Sequence, residues 1–182
     1  LSLGYGGNGP LIEYASLREY LAPNVKNIIW LYYDLNDLED LFRELNSDIL
    51  KKYLEDENFS QGLKKKQNKI DELAYQLFQN AINLNQIKNT YSLIKFLKLY
   101  EVRNLFNYYL PQKYKPNRFK RLNKDEKKIA LNKFDEILKR TKELAVKNNS
   151  NLYFVYLPEY WKYKNKQKKS PNLDSVKKIV KQ

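Results

Sequence analysis

The sequence predicts an α/β domain: a mostly parallel sheet between helices in a three-layer α/β/α arrangement, carrying a large helical insertion. Three observations lead there. Gly4-Tyr5-Gly6-Gly7-Asn8-Gly9-Pro10 is a glycine-rich turn that opens a helical pattern. Asn27 to Tyr33 is an apolar and aromatic run of strand length that ends on Asp34-Leu35-Asn36-Asp37. Leu152 to Leu157 is a second such run, stopped by Pro158. Unbroken apolar runs of this length read as parallel strands covered on both faces, and loops that leave a strand to enter a helix line the ligand-binding edge of an open α/β sheet.

Leu1-Ser2-Leu3 reads as the end of a strand. The glycines behind it let the chain turn sharply and bring bare amides toward a ligand, and Pro10 suits the first position of a helix. That helix runs to about Leu21, with Leu11, Tyr14, Ala15 and Leu21 on one face, and stops before Pro23. After the first full strand, Asn36 or Asp37 can cap the next helix, where Asp37, Glu39 and Asp40 suit the positive end of the helix dipole. Leu38, Leu41, Phe42, Leu45 and Ile49 follow at helical spacing.

From Phe59 to Leu110 the pattern is wholly helical, with one stripe at Ile70, Leu73, Ala74, Leu77, Phe78 and Ala81 and another at Leu93, Phe96, Leu97 and Tyr100. This is too long for a simple strand-to-helix connection, so residues 59–121 read as an insertion in a single domain spanning 1–182. Pro111 to Arg121 looks like a loop. Asn123 with Glu126 forms the pattern of a capping box for a helix to about Lys147, buried along Ala130, Phe134, Ile137, Leu138, Thr141, Leu144 and Ala145. Beyond Pro158 a basic, aromatic loop extends to Ser170 and a short helix follows, with Asp174 at its N-terminus.

At 182 residues, 42% of them hydrophobic and 14% aromatic, the chain has the apolar material for a core. No run of about 18 apolar residues occurs, so no membrane span is expected within it. The absence of Cys excludes a disulfide framework and cysteine-held zinc, and the absence of His removes the commonest metal ligand. No metal or cofactor is expected. The formal charge of +13 comes from 34 Lys and Arg against 21 Asp and Glu, a footprint that could suit an anionic partner. The excess is mostly Lys, interspersed with acids in the helices and accompanied by abundant Asn, Ile and Tyr, as an AT-biased genome produces. Nucleic acid is therefore not the expected partner, although Lys113 to Arg121 and Tyr160 to Lys169 interleave aromatics with cations.

Gly7, with Asn8-Gly9-Pro10-Leu11 behind it, and Asp34-Leu35-Asn36-Asp37, with Trp30-Leu31-Tyr32-Tyr33 before it, resemble the second and third sequence blocks of a bacterial branch of the SGNH (GDSL-like) hydrolases. The resemblance implies a flavodoxin-like α/β/α fold and an oxyanion hole made by the backbone N–H of Gly7 and the side-chain amide of Asn36, with Gly9 and Asp37 supporting the loops. It implies a serine nucleophile, an acyl-enzyme and no cofactor. The substrate would be a small-molecule or glycan acyl ester, such as an acetylated envelope carbohydrate, handled by an esterase or acyltransferase in the bacterial cell envelope or periplasm.

The chain departs from the family in three ways. Asp34 stands where the family has Gly. The nucleophile block is not found: Ser2, Ser16 and Ser47 lack a neighbouring base. Asp174-Ser175-Val176-Lys177 has the spacing of the family's Asp-x-x-His block but ends in Lys, a poor substitute for imidazole. With Leu1 rather than Met at the start, the chain reads as an internal fragment: the oxyanion half of a site whose serine and Asp/His pair lie in flanking sequence, and inactive alone. The other readings are a basic helical module that binds nucleic acid or an anionic polymer, and a non-catalytic relative that binds glycans.

Overall fold

The computed structural model describes residues 2–4, 7–90, 121–159, 164 and 172–181, with side chains left out for 81–90. The chain divides into two compact units, Leu1–Gly62 with Phe119–Gln182, and Leu63–Arg118.

In the first unit the order is α1 (Pro10–Tyr20), β1 (Asn27–Tyr33), α2 (Asp37–Glu44), α3 (Asp48–Glu55), then α5 (Lys124–Lys147), β2 (Asn151–Leu157) and α6 (Leu173–Val180). In the second, a 3-10 turn at Lys64–Lys66 leads into α4 (Gln67–Thr90). The protein is thus an α/β protein in which β1 and β2 pair in parallel, from Asn27 opposite Asn151 to Tyr33 opposite Leu157.

The core lies between the sheet and the helices of one layer. Leu11 and Tyr14 from α1, Trp30 and Tyr32 from β1, Leu38 and Leu41 from α2, Tyr53 from α3 and Ala130, Phe134 and Ile137 from α5 form one buried cluster. Tyr32 is its centre: its ring lies 5.1 Å from that of Phe134 and 5.7 Å from that of Tyr156. Helix α5 is started by the capping box, Asn123 Oδ1 accepting from Asp125 and Glu126 N–H while Glu126 Oε2 accepts from Asn123 N–H. Asn149, at φ 54°, turns the chain from α5 into β2.

Expectation and structure part at several places. The strands are not covered on both faces. Burial alternates along β1, so that Ile28, Trp30 and Tyr32 are buried while Ile29 is 63% and Leu31 51% exposed; Tyr153 on β2 is 52% exposed beside them. The far layer of the expected sandwich is missing among the described residues. Backbone direction adds a second opening. Asp34 N–H donates to Leu157 O and Asn151 N–H to Lys26 O, so the even-numbered residues of β1 point their backbone groups at β2 and the odd ones point away. On that far edge Tyr33 N–H is taken by the Asp37 carboxylate, but Ile29 and Leu31 have no backbone partner among the described residues. A groove of about 300 Å³ runs there, between Asn27–Leu31 and Ser2–Gly4, with Glu13, Leu17 and Leu21 on its walls.

The apolar spacing from Leu38 to Ile49 does not form one helix. Ser47 stops and restarts it, its hydroxyl accepting from Leu50 N–H as the N-cap of α3, and Ile49 is left exposed. Nor is the chain helical from Phe59. Residues 56–62 are a loop pinned to α1: Arg18 donates to the carbonyls of Tyr53, Asp56, Glu57 and Phe59 at 2.5–3.2 Å, and Glu19 accepts from Tyr53 OH, Ser60 OH and Gln61 N–H at 2.6–2.9 Å. In α4, Leu73, Leu77 and Phe78 are exposed. The stripe at Leu93 to Tyr100, the loop at 111–120 and most of the aromatic loop after Pro158 lie outside the described residues. No described helix is long and apolar enough to cross a membrane.

Candidate functional site

The two loops singled out by sequence meet along one face of α2. Asn36, Asp40 and Glu44 are spaced four apart and so share that face. Glu44 reaches the start of α1: its carboxylate accepts from Gly9 N–H at 2.6 Å, Leu11 N–H at 3.0 Å and Ile12 N–H at 3.4 Å. These amides form the positive end of α1 that would otherwise face solvent or an anion, and a side chain of the same protein fills it.

Gly9 is the N-cap of α1 and is buried. A Cβ added to it would stand 2.8 Å from Asp40 Cβ and 2.8 Å from Glu44 Oε1, so only glycine lets α2 come this close. Gly7 differs in kind. It is exposed, at φ 97°, and a Cβ there would meet nothing within 4 Å, so its need for glycine is conformational.

Asn36 occupies the N-cap position of α2, yet its side chain makes no cap bond. Its amide donates to the Asp40 carboxylate, which also pairs with Arg43. Asp37, the first residue of α2, turns back to accept from Tyr33 N–H at 2.7 Å and so closes the loop that holds Asn36. The expectation that Asn36 or Asp37 caps α2 is therefore replaced: both side chains are used elsewhere. Asp34, where the family pattern has Gly, is 3% exposed and continues the ladder onto Leu157 O. Gly9 and Asn36 thus both lie against Asp40, the first by close packing and the second by a hydrogen bond, while Asp37 bonds to Tyr33 N–H and Gly7 sits in the exposed turn two residues before Gly9. Among the other residues weighed by sequence, Ser47 is spent as a cap, and Asp174 lies in the first turn of α6 with Lys177 exposed.

The neighbourhood is crowded with carboxyl groups. Asp34, Asp37, Asp40 and Glu44 are each less than a tenth exposed, and Glu13 has one oxygen buried without a partner. Burial pushes Glu13 up to about 8, with the charges of Asp37 and Glu44 adding to it. Burial likewise pushes Asp37 up to about 7, opposed by the Tyr33 amide and reinforced by Glu44 and Asp34. Glu44 is also raised by burial, against the pull of its three amide donors. Both shifts favour the uncharged form of Glu13 and Asp37, which relieves the repulsion within the cluster. No group of three or more metal-ligating side chains is arranged to hold an ion among the described residues.

Sequence reasoning missed Asp40 and Glu44 as the links between the two loops, having read Asp40 only as a partner of the helix dipole. The usable signal was the spacing Asn36, Asp40, Glu44 on a helix whose other face is apolar. No family model, no curated protein and no solved structure matches this chain.

Proposed function

We propose that this chain carries the oxyanion half of an SGNH-type acyl hydrolase or acyltransferase, with Gly7 N–H and the Asn36 amide as the donors and a small-molecule or glycan acyl ester as substrate. The observation that carries the reading is the side chain of Asn36. It stands at a helix N-cap but leaves the cap empty, donates one N–H to Asp40, and keeps a second N–H on the same nitrogen. An asparagine selected for capping would not be arranged this way. In addition, the Gly7–Pro10 turn is tied to the same helix through Glu44.

On this reading the attack of a serine on the ester carbonyl places negative charge on oxygen, and two preorganised donors stabilise that charge by roughly 3–4 kcal/mol each. On this reading the base comes from outside these residues, since the chain has no His, and the serine would come with it. The wider fold would be the three-layer, flavodoxin-like sandwich, its parallel sheet extended beyond β1 and β2, and the intact protein would work in a bacterial cell envelope or periplasm.

The test is to express the chain with its flanking coding sequence and assay hydrolysis of p-nitrophenyl acetate, alongside Asn36→Ala. The reading expects turnover in the longer protein, none above background in the 182 residues alone, and a fall in kcat of about 10²–10³ for the variant with little change in KM. An equal loss confined to KM would make Asn36 a binding residue only, and no Ser or His block in the flanks would end the hydrolase reading.

A further inference from the structure

We infer that Asp40 is the positioning residue of Asn36: it fixes which end of the amide faces the helix and therefore which atoms remain for a ligand. The inference rests on the proposed role of Asn36 but is read out independently of it. A side-chain amide presents a donor nitrogen and an acceptor oxygen of nearly the same shape, and either could face a neighbour. A carboxylate only accepts, so beside Asp40 the nitrogen end of Asn36 is held and the oxygen end is repelled.

Asp40 is itself immobile. It is 2% exposed, so water does not compete for the bond, and Arg43 pairs with it from three residues further along α2. The backbone of Gly9 packs against its Cβ closely enough to exclude any larger residue there. Four residues further on, Glu44 holds the amides of Gly9 and Leu11. One helix face therefore sets both loops: Glu44 the glycine turn, Asp40 the orientation of Asn36. The remaining N–H of Asn36 is left as a donor of defined direction, which is what an oxyanion site requires and what a freely rotating amide lacks.

The test uses nitrogen-15 NMR of the full 182-residue chain, following the side-chain amide protons of Asn36. In the wild type one of the two is expected downfield and slow to exchange. Asp40→Ala should abolish both features while Arg43→Ala, which removes only the ion pair, keeps them. Should Asp40→Ala fail to fold, Asp40→Leu keeps a similar volume at this buried position and removes every acceptor, and the downfield shift should again be lost. Unchanged Asn36 signals in a folded Asp40 variant, or equal loss in Arg43→Ala, would overturn the inference. Failure of ester turnover in the longer protein bears on the hydrolase reading instead and leaves these resonances as they are.

Discussion

Glu44 Oε1 accepts a hydrogen bond from the backbone N–H of Gly9, 35 residues earlier, at 2.6 Å. An internal carboxylate thus serves the end of α1 in the place of the side-chain cap that Gly9 cannot supply. Removing it strands buried donors. Glu44→Ala is expected to cost about 2–3 kcal/mol in urea-denaturation stability, and Glu44→Gln less because its oxygen still accepts.

Gly9 and Gly7 should respond to alanine for different reasons. Gly9→Ala drives a methyl group into Asp40 and Glu44 and should cost about 1–3 kcal/mol. In combination with Glu44→Ala the cost should be less than additive, because part of the clash has gone. Gly7→Ala meets open space and pays only for its positive φ, about 1–2 kcal/mol, with no coupling to Glu44. Equal coupling at both positions would show that the close approach at Gly9 is not what demands glycine.

Stability should fall as pH rises. The folded values of Asp37, about 7, and Glu13, about 8, lie above their unfolded values. The stability linked to these two groups is fully present below about pH 4 and is lost as pH rises through 7 and 8. Between pH 5 and pH 9 the loss from the two groups together should be on the order of 6 kcal/mol, seen as a drop in Tm, and Asp37→Asn with Glu13→Gln should flatten it. A Tm that climbs over this range would refute the buried, uncharged state of the cluster.

Arg18 should resist replacement by lysine. Its guanidinium spreads donors over four carbonyls of the 53–59 segment and lies over the Tyr53 ring at 5.2 Å, a fork that one ammonium cannot reproduce. Arg18→Lys and Arg18→Ala should both lower stability by about 2 kcal/mol or more, and both should open the loop after α3 to limited proteolysis. Rescue by lysine would mean that charge alone is at work.

Helix α5 and the two parallel strands were legible because their signals are local: a capping box, a 3.6-residue stripe, apolar runs ended by polar loops. What the sequence hid was non-local. The spacing of Asn36, Asp40 and Glu44 marks a polar helix face but does not name Gly9 as its partner, and nothing near Ser47 outweighs the apolar spacing that runs across it. The exposed face of β1 was hidden for a different reason. Ile29 and Leu31 have the composition of buried residues, and composition records what a strand is suited to pack against rather than what is beside it.

That open face and the edge of β1 beside it carry a cost in solution. An edge on which Ile29 and Leu31 have no backbone partner among the described residues, beside the exposed side chains of Ile29, Leu31 and Tyr153, is a template for the same edge of another copy. What opposes such pairing is the net charge of +13, which makes copies repel at a distance. Salt shortens that repulsion to a Debye length of about 8 Å near 0.15 M and about 3 Å at 1 M. The positive surface thus acts as a colloidal guard over a sticky sheet, and light scattering should record aggregates growing as salt is added, with Leu31→Lys on the exposed face delaying their onset.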